Sequence, residues 1–536
     1  MGPHDTGGTL APTRLPPAAR SSGRTRSFAD ALEDVESTVA AVAVVLEGHV
    51  RRQVIVPLAV LVGVLAALVQ ALVVPPLHTG DETAHLDYAY QVWTGHLPVF
   101  EAGTVLTPDV GSVPPVQWVA QHPPLYYVLL APVVGPMVDG GHLIGAVYAA
   151  RLVNVLAVGL LVAVAAWATR RAFPGRSPLS GAVTGGIPPA LVTALVVTAT
   201  AWVARVGGSA YNDVLAALLT TWLFGLAASA IRSGLTWPRT VLLVVVSALC
   251  LGTRLHTMVM VGTMVGAVLI AALLPDRSAV AHPRRAARAW ALALGVPLAV
   301  AAATGWFWLR NFRLTGSVTG GHPDWAADNL DRVARPVGEV VLDPAVWARL
   351  LAVFGHGPAP DAVVVLLLAV PALLAVIGTA RAVIAAVRAV SGGAGPGIGP
   401  DTSRILIVAA GGLAVAATLA MQMMYTAGGG SPHPRYLLLV IAPLALVVAR
   451  GLVELERFGP RALPWGIAAW CAVPLVDQAL WIAVSAPRYA GTWPGAPLSV
   501  TGAWVAWGAA CVCVAVAVTR LAAPRVVADP SASLAA

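Results

Sequence analysis

Apolar residues run along this chain in long blocks, broken by short polar or arginine-bearing segments. About 20 consecutive apolar residues suffice to cross a bilayer as a helix. Such blocks read at 53–75, 142–168, 187–204, 211–230, 239–255, 257–274, 289–309, 361–388, 405–425, 437–450, 463–485 and 501–519. The pattern predicts an all-α fold, a polytopic transmembrane helical bundle of about 12 spans, with two long loops at 76–123 and 310–360. The apolar run 124–138 is short and bounded by proline, so it reads as a re-entrant or juxtamembrane helix. The second loop, with Pro, Trp and mixed charge, reads as short helices on the membrane surface, and the Gly/Pro-rich 391–402 as a flexible linker.

Outside the blocks, residues 1–27 are rich in Pro, Gly, Ser, Thr and Arg, which predicts a disordered tail, and 28–49 could form a short surface helix. The expected organisation is a cytoplasmic 1–50, a membrane domain over 51–525 and a short cytoplasmic tail over 526–536.

Composition agrees with the pattern: 58% of the residues are hydrophobic and 11% charged, against about 25% charged in soluble domains. The net charge of +8 is carried by arginine alone. A basic excess can signal nucleic acid, but here the arginines stand between apolar blocks, as the positive-inside rule requires, and no nucleic-acid partner is expected. Arg51 and Arg52 precede the first block, and no arginine follows until Arg151. The loop 76–123 instead holds Asp81, Glu82, Asp87, Glu101 and Asp109, so it is expected outside the cell. Alternation then places Arg170, Arg171, Arg232, Arg284, Arg285, Arg288, Arg381, Arg404, Arg457 and Arg520 inside. That orientation implies a multi-pass protein of the plasma (inner) membrane. Cys250, Cys471, Cys511 and Cys513 all lie in apolar blocks and read as small core residues.

With this topology the unusual polar residues gather on the external face. Gly80 to Tyr90 contains Asp81, Glu82 and His85, and Gln121 to Tyr127 contains His122 and Tyr126. Asn212 and Asp213 open a block, Arg254 lies at an external turn, Arg310 ends another block, and His433, Arg435 and Tyr436 precede the tenth. Ionisable groups at a membrane boundary are costly and point to a site. A carboxylate can act as general base, and arginine can fork onto a phosphate. Each feature also has a plain reading. Asp81 and Glu82 could be solvated acids. Arg254, Arg310 and Arg435 could snorkel, as could Arg151. Tyr126, Tyr127 and Trp306 to Trp308 read as aromatic-belt anchors before sugar platforms. Asp81 and His85 are four apart and share a helical face; a divalent cation stays open there, but no second such pair accompanies them. No other cofactor is expected.

Taken in order, Gly80-Asp81-Glu82-Thr83-Ala84-His85, His122-Pro123-Pro124-Leu125-Tyr126-Tyr127, Tyr211-Asn212-Asp213-Val214-Leu215, Trp308-Leu309-Arg310-Asn311 and His433-Pro434-Arg435-Tyr436-Leu437 resemble the GT-C superfamily of membrane glycosyltransferases, in the branch of the protein O-mannosyltransferases and aminoarabinose transferases. The resemblance covers residues 53 to about 450. It implies a catalytic base at Asp81, with Glu82 beside it, and a second acidic site at Asp213 with Asn212. It also implies donor-phosphate contacts at Arg254, Arg435 and Arg310, and pocket positions at His85, His122, Tyr126, His433 and Tyr436. The implied reaction transfers a sugar from a polyprenyl-phosphate donor to an envelope glycan, lipid or protein acceptor on the extracytoplasmic face. On that reading Asp81→Asn lowers turnover and changes donor binding little. A transporter or flippase of a lipid-linked precursor is the rival. It would need polar groups through the membrane depth, where the blocks read as nearly pure Ala, Val and Leu. A non-catalytic scaffold gives no reason for the clustering.

Overall fold

The first apolar block becomes helix α1 (Ile55–Val73), and the acidic stretch after it becomes α2 (Gly80–Trp93). The computed structural model describes residues 54–78, 80–174, 188–274, 283–355, 361–391, 400–489, 491–493 and 495–522. The expected N-terminal tail and surface helix, most of the linker and the C-terminal tail lie outside these residues.

The remaining helices in chain order are α3 (Leu125–Asp139), α4 (Leu143–Ala172), α5 (Pro189–Thr198), α6 (Ala201–Gly207), α7 (Asp213–Ser233), α8 (Trp237–Thr253), α9 (Met258–Leu273), α10 (Pro283–Val300), α11 (Trp306–Thr315), α12 (Pro323–Leu330), α13 (Val337–Leu342), α14 (Pro344–Leu351), α15 (Asp361–Ser391), α16 (Pro400–Ala427), α17 (Ile441–Val453), α18 (Ala462–Tyr489) and α19 (Ala496–Ala522). A π-helical turn, Ala301–Gly305, joins α10 to α11. The chain is an all-α polytopic bundle.

Ten helices among the described residues are long and apolar enough to cross a membrane, or eleven if the broken pair α5–α6 is one span. The sequence pattern gives about 12, and both differences have a local cause. The block 187–204 is broken, with α5 and α6 bent by 57°. The block 239–255 becomes α8, of 17 residues, at the lower limit of a spanning helix. Helix α3 has 15 residues with Pro132 and Pro136 inside it, short of a span at about 1.5 Å per residue. The second long loop contains α12, α13 and α14, the short helices its composition predicts.

Helix α1 packs most extensively on α19 and α4. The contact surface is small and branched: Ala59, Ala67 and Ala71 meet Val158, Leu161 and Val162, all buried. Gly208 lets the end of α6 lie on α1, since a Cβ there would sit 2.6 Å from Ala67 O and Ala71 N. Large apolar side chains such as Leu160, Leu273, Leu298 and Val505 face outward, as lipid contact requires. At the end of the bundle away from α2, arginines close helix termini: Arg285 donates to Ala271 O and Leu274 O, and Arg288 to Leu235 O.

Candidate active site

Helix α1 ends where proline enters the chain, and its last carbonyls need donors. Arg151, two turns into α4, supplies them. Its Nη1 donates to Ala71 O and Val74 O, both at 2.7 Å, and its Nη2 to Pro75 O at 3.0 Å. The other edge of the guanidinium forks onto Glu82, with Nε to Oε1 at 2.8 Å and Nη2 to Oε2 at 2.6 Å. Glu82 also accepts from Leu77 N and Ala210 N. Both side chains are essentially fully buried. This corrects two expectations. Glu82 is not a second base beside Asp81 but a saturated ion-pair partner, and Arg151 does not snorkel. Together they tie the α1–α2 turn to α4 and to the residue before Tyr211.

A second buried carboxylate shapes the external loop. Asp87 Oδ1 accepts from Val105 N and Leu106 N at 2.7 and 2.8 Å. Its Oδ2 accepts from Gln91 at 2.7 Å and Gln117 at 2.6 Å. Burial pushes the carboxyl up and these four donors oppose it. The loop is therefore folded onto α2 rather than free in solvent.

One turn before His85, Asp81 points about 100° around α2 from Glu82. Arg435 Nη1 donates to Asp81 Oδ2 at 2.7 Å, with 17% and 32% of the two side chains exposed. Beside this pair, Asp213 at the start of α7 is bonded to Arg254, which follows the end of α8. Asn212 accepts from Arg254 at 3.4 Å and donates to Thr253 O at 3.2 Å. Tyr436 joins the two pairs, its ring 5.0 Å from the Arg254 guanidinium and 5.6 Å from that of Arg435. Tyr211 lies 5.6 Å from Arg435 on another side. Pro434 opens a 3-10 turn that presents Arg435, whose N–H points to His433 Nδ1 at 3.3 Å. Burial, the largest single influence, would push the Asp81 carboxyl up, but the charge and hydrogen bond of Arg435, with smaller contributions from His85 and His433, together outweigh it and hold the group below the usual carboxylate range.

The pocket wall behind Asp81 is neutral. Tyr127 OH and His85 Nδ1 are 2.9 Å apart, and the His85 ring lies within 6.3 Å of those of His122, Tyr126, Tyr127 and Tyr211. Tyr88 OH donates to His122 O at 3.0 Å and its ring stacks on Tyr127. Burial pulls His85 down to about 3 and His433 likewise to about 3, so both imidazoles are uncharged near neutral pH. Tyr126 and Tyr127 are buried, which corrects their reading as belt anchors, whereas Trp306 is half exposed.

The structure thus gathers Asp81, Arg435, Asp213, Asn212, Arg254, Tyr436, His433 and His85 at one end of the bundle, with His122 and Tyr126 in the wall. Among the described residues no bond joins Arg310 to the two acid–arginine pairs: Arg310 donates to Pro98 O at 2.6 Å and, with Asn311 donating to Gln121 O, straps α11 to the first loop. Among the described residues no three His, Cys, Asp or Glu side chains gather as a metal site, and His85 Nδ1 is turned to Tyr127. Sequence reading missed the Arg151–Glu82 brace and the Asp87 clamp. Their only linear signal is an uncompensated acid in an arginine-free stretch. It also missed polarity inside the membrane. A cavity between α1, α5, α6, α18 and α19 is lined by Gln70, Arg205, Asp477, Gln478 and Trp481. Arg205 lies 4.8 Å from the Trp202 ring and 5.3 Å from that of Trp481.

No protein-family model matches the chain, and no curated protein does. Among solved structures the chain is similar to ArnT from Cupriavidus metallidurans bound to undecaprenyl phosphate, at 15% identity and a TM-score of 0.45, over 87% of this chain and 77% of that one. It is also similar to the archaeal oligosaccharyltransferase AglB from Archaeoglobus fulgidus in complex with an inhibitory peptide and a dolichol-phosphate. That likeness has 13% identity and a TM-score of 0.41, over 82% of this chain and 55% of that one.

Proposed function

We propose that the protein is a GT-C-like membrane glycosyltransferase. It takes a sugar from a polyprenyl-phosphate donor and transfers it to a hydroxyl of an envelope glycan, lipid or protein on the extracytoplasmic face. The observation that carries this reading is the pair of acid–arginine contacts, Asp81–Arg435 and Asp213–Arg254, bridged by Tyr436 at the ends of spanning helices. A lipid phosphate held at the membrane boundary meets two forked cations there. An acceptor from the water side meets Asp81, the more exposed of the two acids, as general base. The neutral wall of His85, His122 and Tyr127 leaves these groups as the charges beside the reacting atoms.

The Arg205–Asp477 cavity supports a second reading, since transporters carry polar groups within the membrane. The protein would then move a lipid-linked precursor rather than consume it. One assay separates the two. Purified protein in liposomes is supplied with a panel of polyprenyl-phosphate sugars and hydroxylated acceptors. Release of polyprenyl phosphate with a glycosylated product supports transfer; movement of intact donor between leaflets with no product supports transport.

A further inference from the structure

We propose that the donor phosphate unmasks the catalytic base: it takes over the Arg435 guanidinium, frees the Asp81 carboxylate for the acceptor hydroxyl, and is expelled when Asp81 pairs with Arg435 again. This rests on the transferase reading above and adds to it a substrate-operated switch.

The geometry supplies each part. Asp81 and Arg435 hold one another at 2.7 Å, so the resting carboxylate is neutralised and a poor proton acceptor. Of the two pairs, Asp213–Arg254 is nearly fully enclosed, with 2% and 3% exposure, whereas Asp81–Arg435 is 32% and 17% exposed. An arriving ligand reaches the second. Arg435 is already prepared for exchange: its Nε meets no hydrogen-bond acceptor among the described residues, and the Tyr211 and Tyr436 rings, each at 5.6 Å, fix its place. That Nε is closed to solvent while Asp81 is bound, so a phosphate takes the guanidinium by displacing the carboxylate and gains the spare donor as Arg435 turns. The charged and titratable groups facing Asp81 are His85 on its own helix, and His433 and Arg435 on the segment before α17. Asp213 faces Arg435 from α7. The imidazoles are neutral, so the two acids and two arginines sum to zero charge, and an anion gains a cation only by displacing an acid.

The step balances. The acceptor oxygen bonds to the anomeric carbon as the bond from that carbon to the phosphate oxygen breaks. The bonding pair leaves with polyprenyl phosphate, which gains a second negative charge, and the acceptor proton passes to Asp81. A protonated Asp81 does not compete for Arg435, so the product phosphate stays; proton loss to water restores the competitor and drives release. Losing its arginine raises the Asp81 pKa in the complex, so binding takes up a proton and affinity rises as pH falls.

The experiment measures binding of polyprenyl phosphate, and of polyprenol of equal length, to the full-length protein in nanodiscs. Preference of the wild type for the phosphate is required by the transferase reading; no preference overturns both it and the switch. Given that preference, Asp81→Asn should bind polyprenyl phosphate about three- to tenfold more tightly, in place of the small change the sequence resemblance implies, because a partly exposed ion pair no longer competes. Equal or weaker binding by Asp81→Asn overturns the switch and leaves the function standing. If that variant does not fold, the wild type decides alone. Its affinity for a polyprenyl phosphate methyl ester, whose charge does not titrate, should rise as pH falls from about 7 to about 4; flat or falling affinity overturns the switch.

Discussion

Asp81 and Glu82 are adjacent in sequence and differently partnered, Asp81 with Arg435 and Glu82 with Arg151. On a helix, neighbours point about 100° apart, so one carboxylate faces the pocket and the other the bundle. Asp81→Asn keeps the shape of the side chain and removes the proton acceptor, so turnover should fall about 10²–10⁴-fold. Steady-state transfer rates check this, and near-normal turnover would remove Asp81 as the base. The pH profile follows from the same contacts. In the free protein Arg435 holds the Asp81 carboxyl low, so kcat/KM should stay level through neutral pH and fall only below the ordinary carboxylate range. His85 and His433, both near 3, add no acid limb near 6.5. The stability sign agrees. A lowered Asp81 stabilises above its unfolded pKa and loses that as pH falls; a lowered His is neutral when folded but takes up protons when unfolded, so stability also declines from about 6.5 downward. A kcat/KM limb centred near 6.5 would contradict this account of both imidazoles.

Between elements, buried charge decides what holds the site in place. Glu82 and Arg151 join α2 to α4 and to the end of α1, and each is sealed from water. Removing one partner strands the other: Arg151→Met or Glu82→Gln should cost about 3–5 kcal/mol. The double substitution Glu82→Leu with Arg151→Met should recover part of that, because no lone charge is left. Denaturation midpoints in detergent test this, and a double variant as unstable as the two singles summed would show the pair to be uncoupled. Asp87 acts on the loop instead. Asp87→Ala leaves Val105 and Leu106 N–H and Gln91 without this acceptor and Gln117 with Ala84 O alone, so residues 100–117 should exchange hydrogen faster or become open to protease while the spans keep their protection. Unchanged exchange there would locate the clamp elsewhere.

For the molecule as a whole, the site belongs outside if arginine distribution sets the topology. In a variant with Cys250, Cys471, Cys511 and Cys513 replaced, a cysteine introduced as Gly103→Cys should react with an impermeant thiol reagent on intact cells. Labelling only after lysis would turn the protein over and place the transfer reaction in the cytoplasm. The cavity at Arg205 and Asp477 shows that the bundle is less uniform in depth than its blocks suggest. Asp477 and Gln478 sit in the middle of α18, between the apolar runs Ala462–Val476 and Ala479–Val484, where one polar pair hardly changes the local pattern.

The periodic apolar blocks by themselves determined the all-α bundle, nearly every span, and the segments that carry the site, because hydrocarbon admits little but closed hydrogen-bonded helices of that length. Residue chemistry alone also marked Asp81, Asp213, Arg254 and Arg435, since charge at a membrane boundary is too costly to be incidental. Partnership was decided only by the tertiary structure. Asp81 meets Arg435 across 354 positions, Glu82 meets Arg151 across 69, and Arg254 meets Asp213 across 41. No local period encodes such separations. They follow from which helix ends pack together, and that packing leaves one acid of α2 partly exposed beside Arg435 and seals its neighbour into the bundle with Arg151.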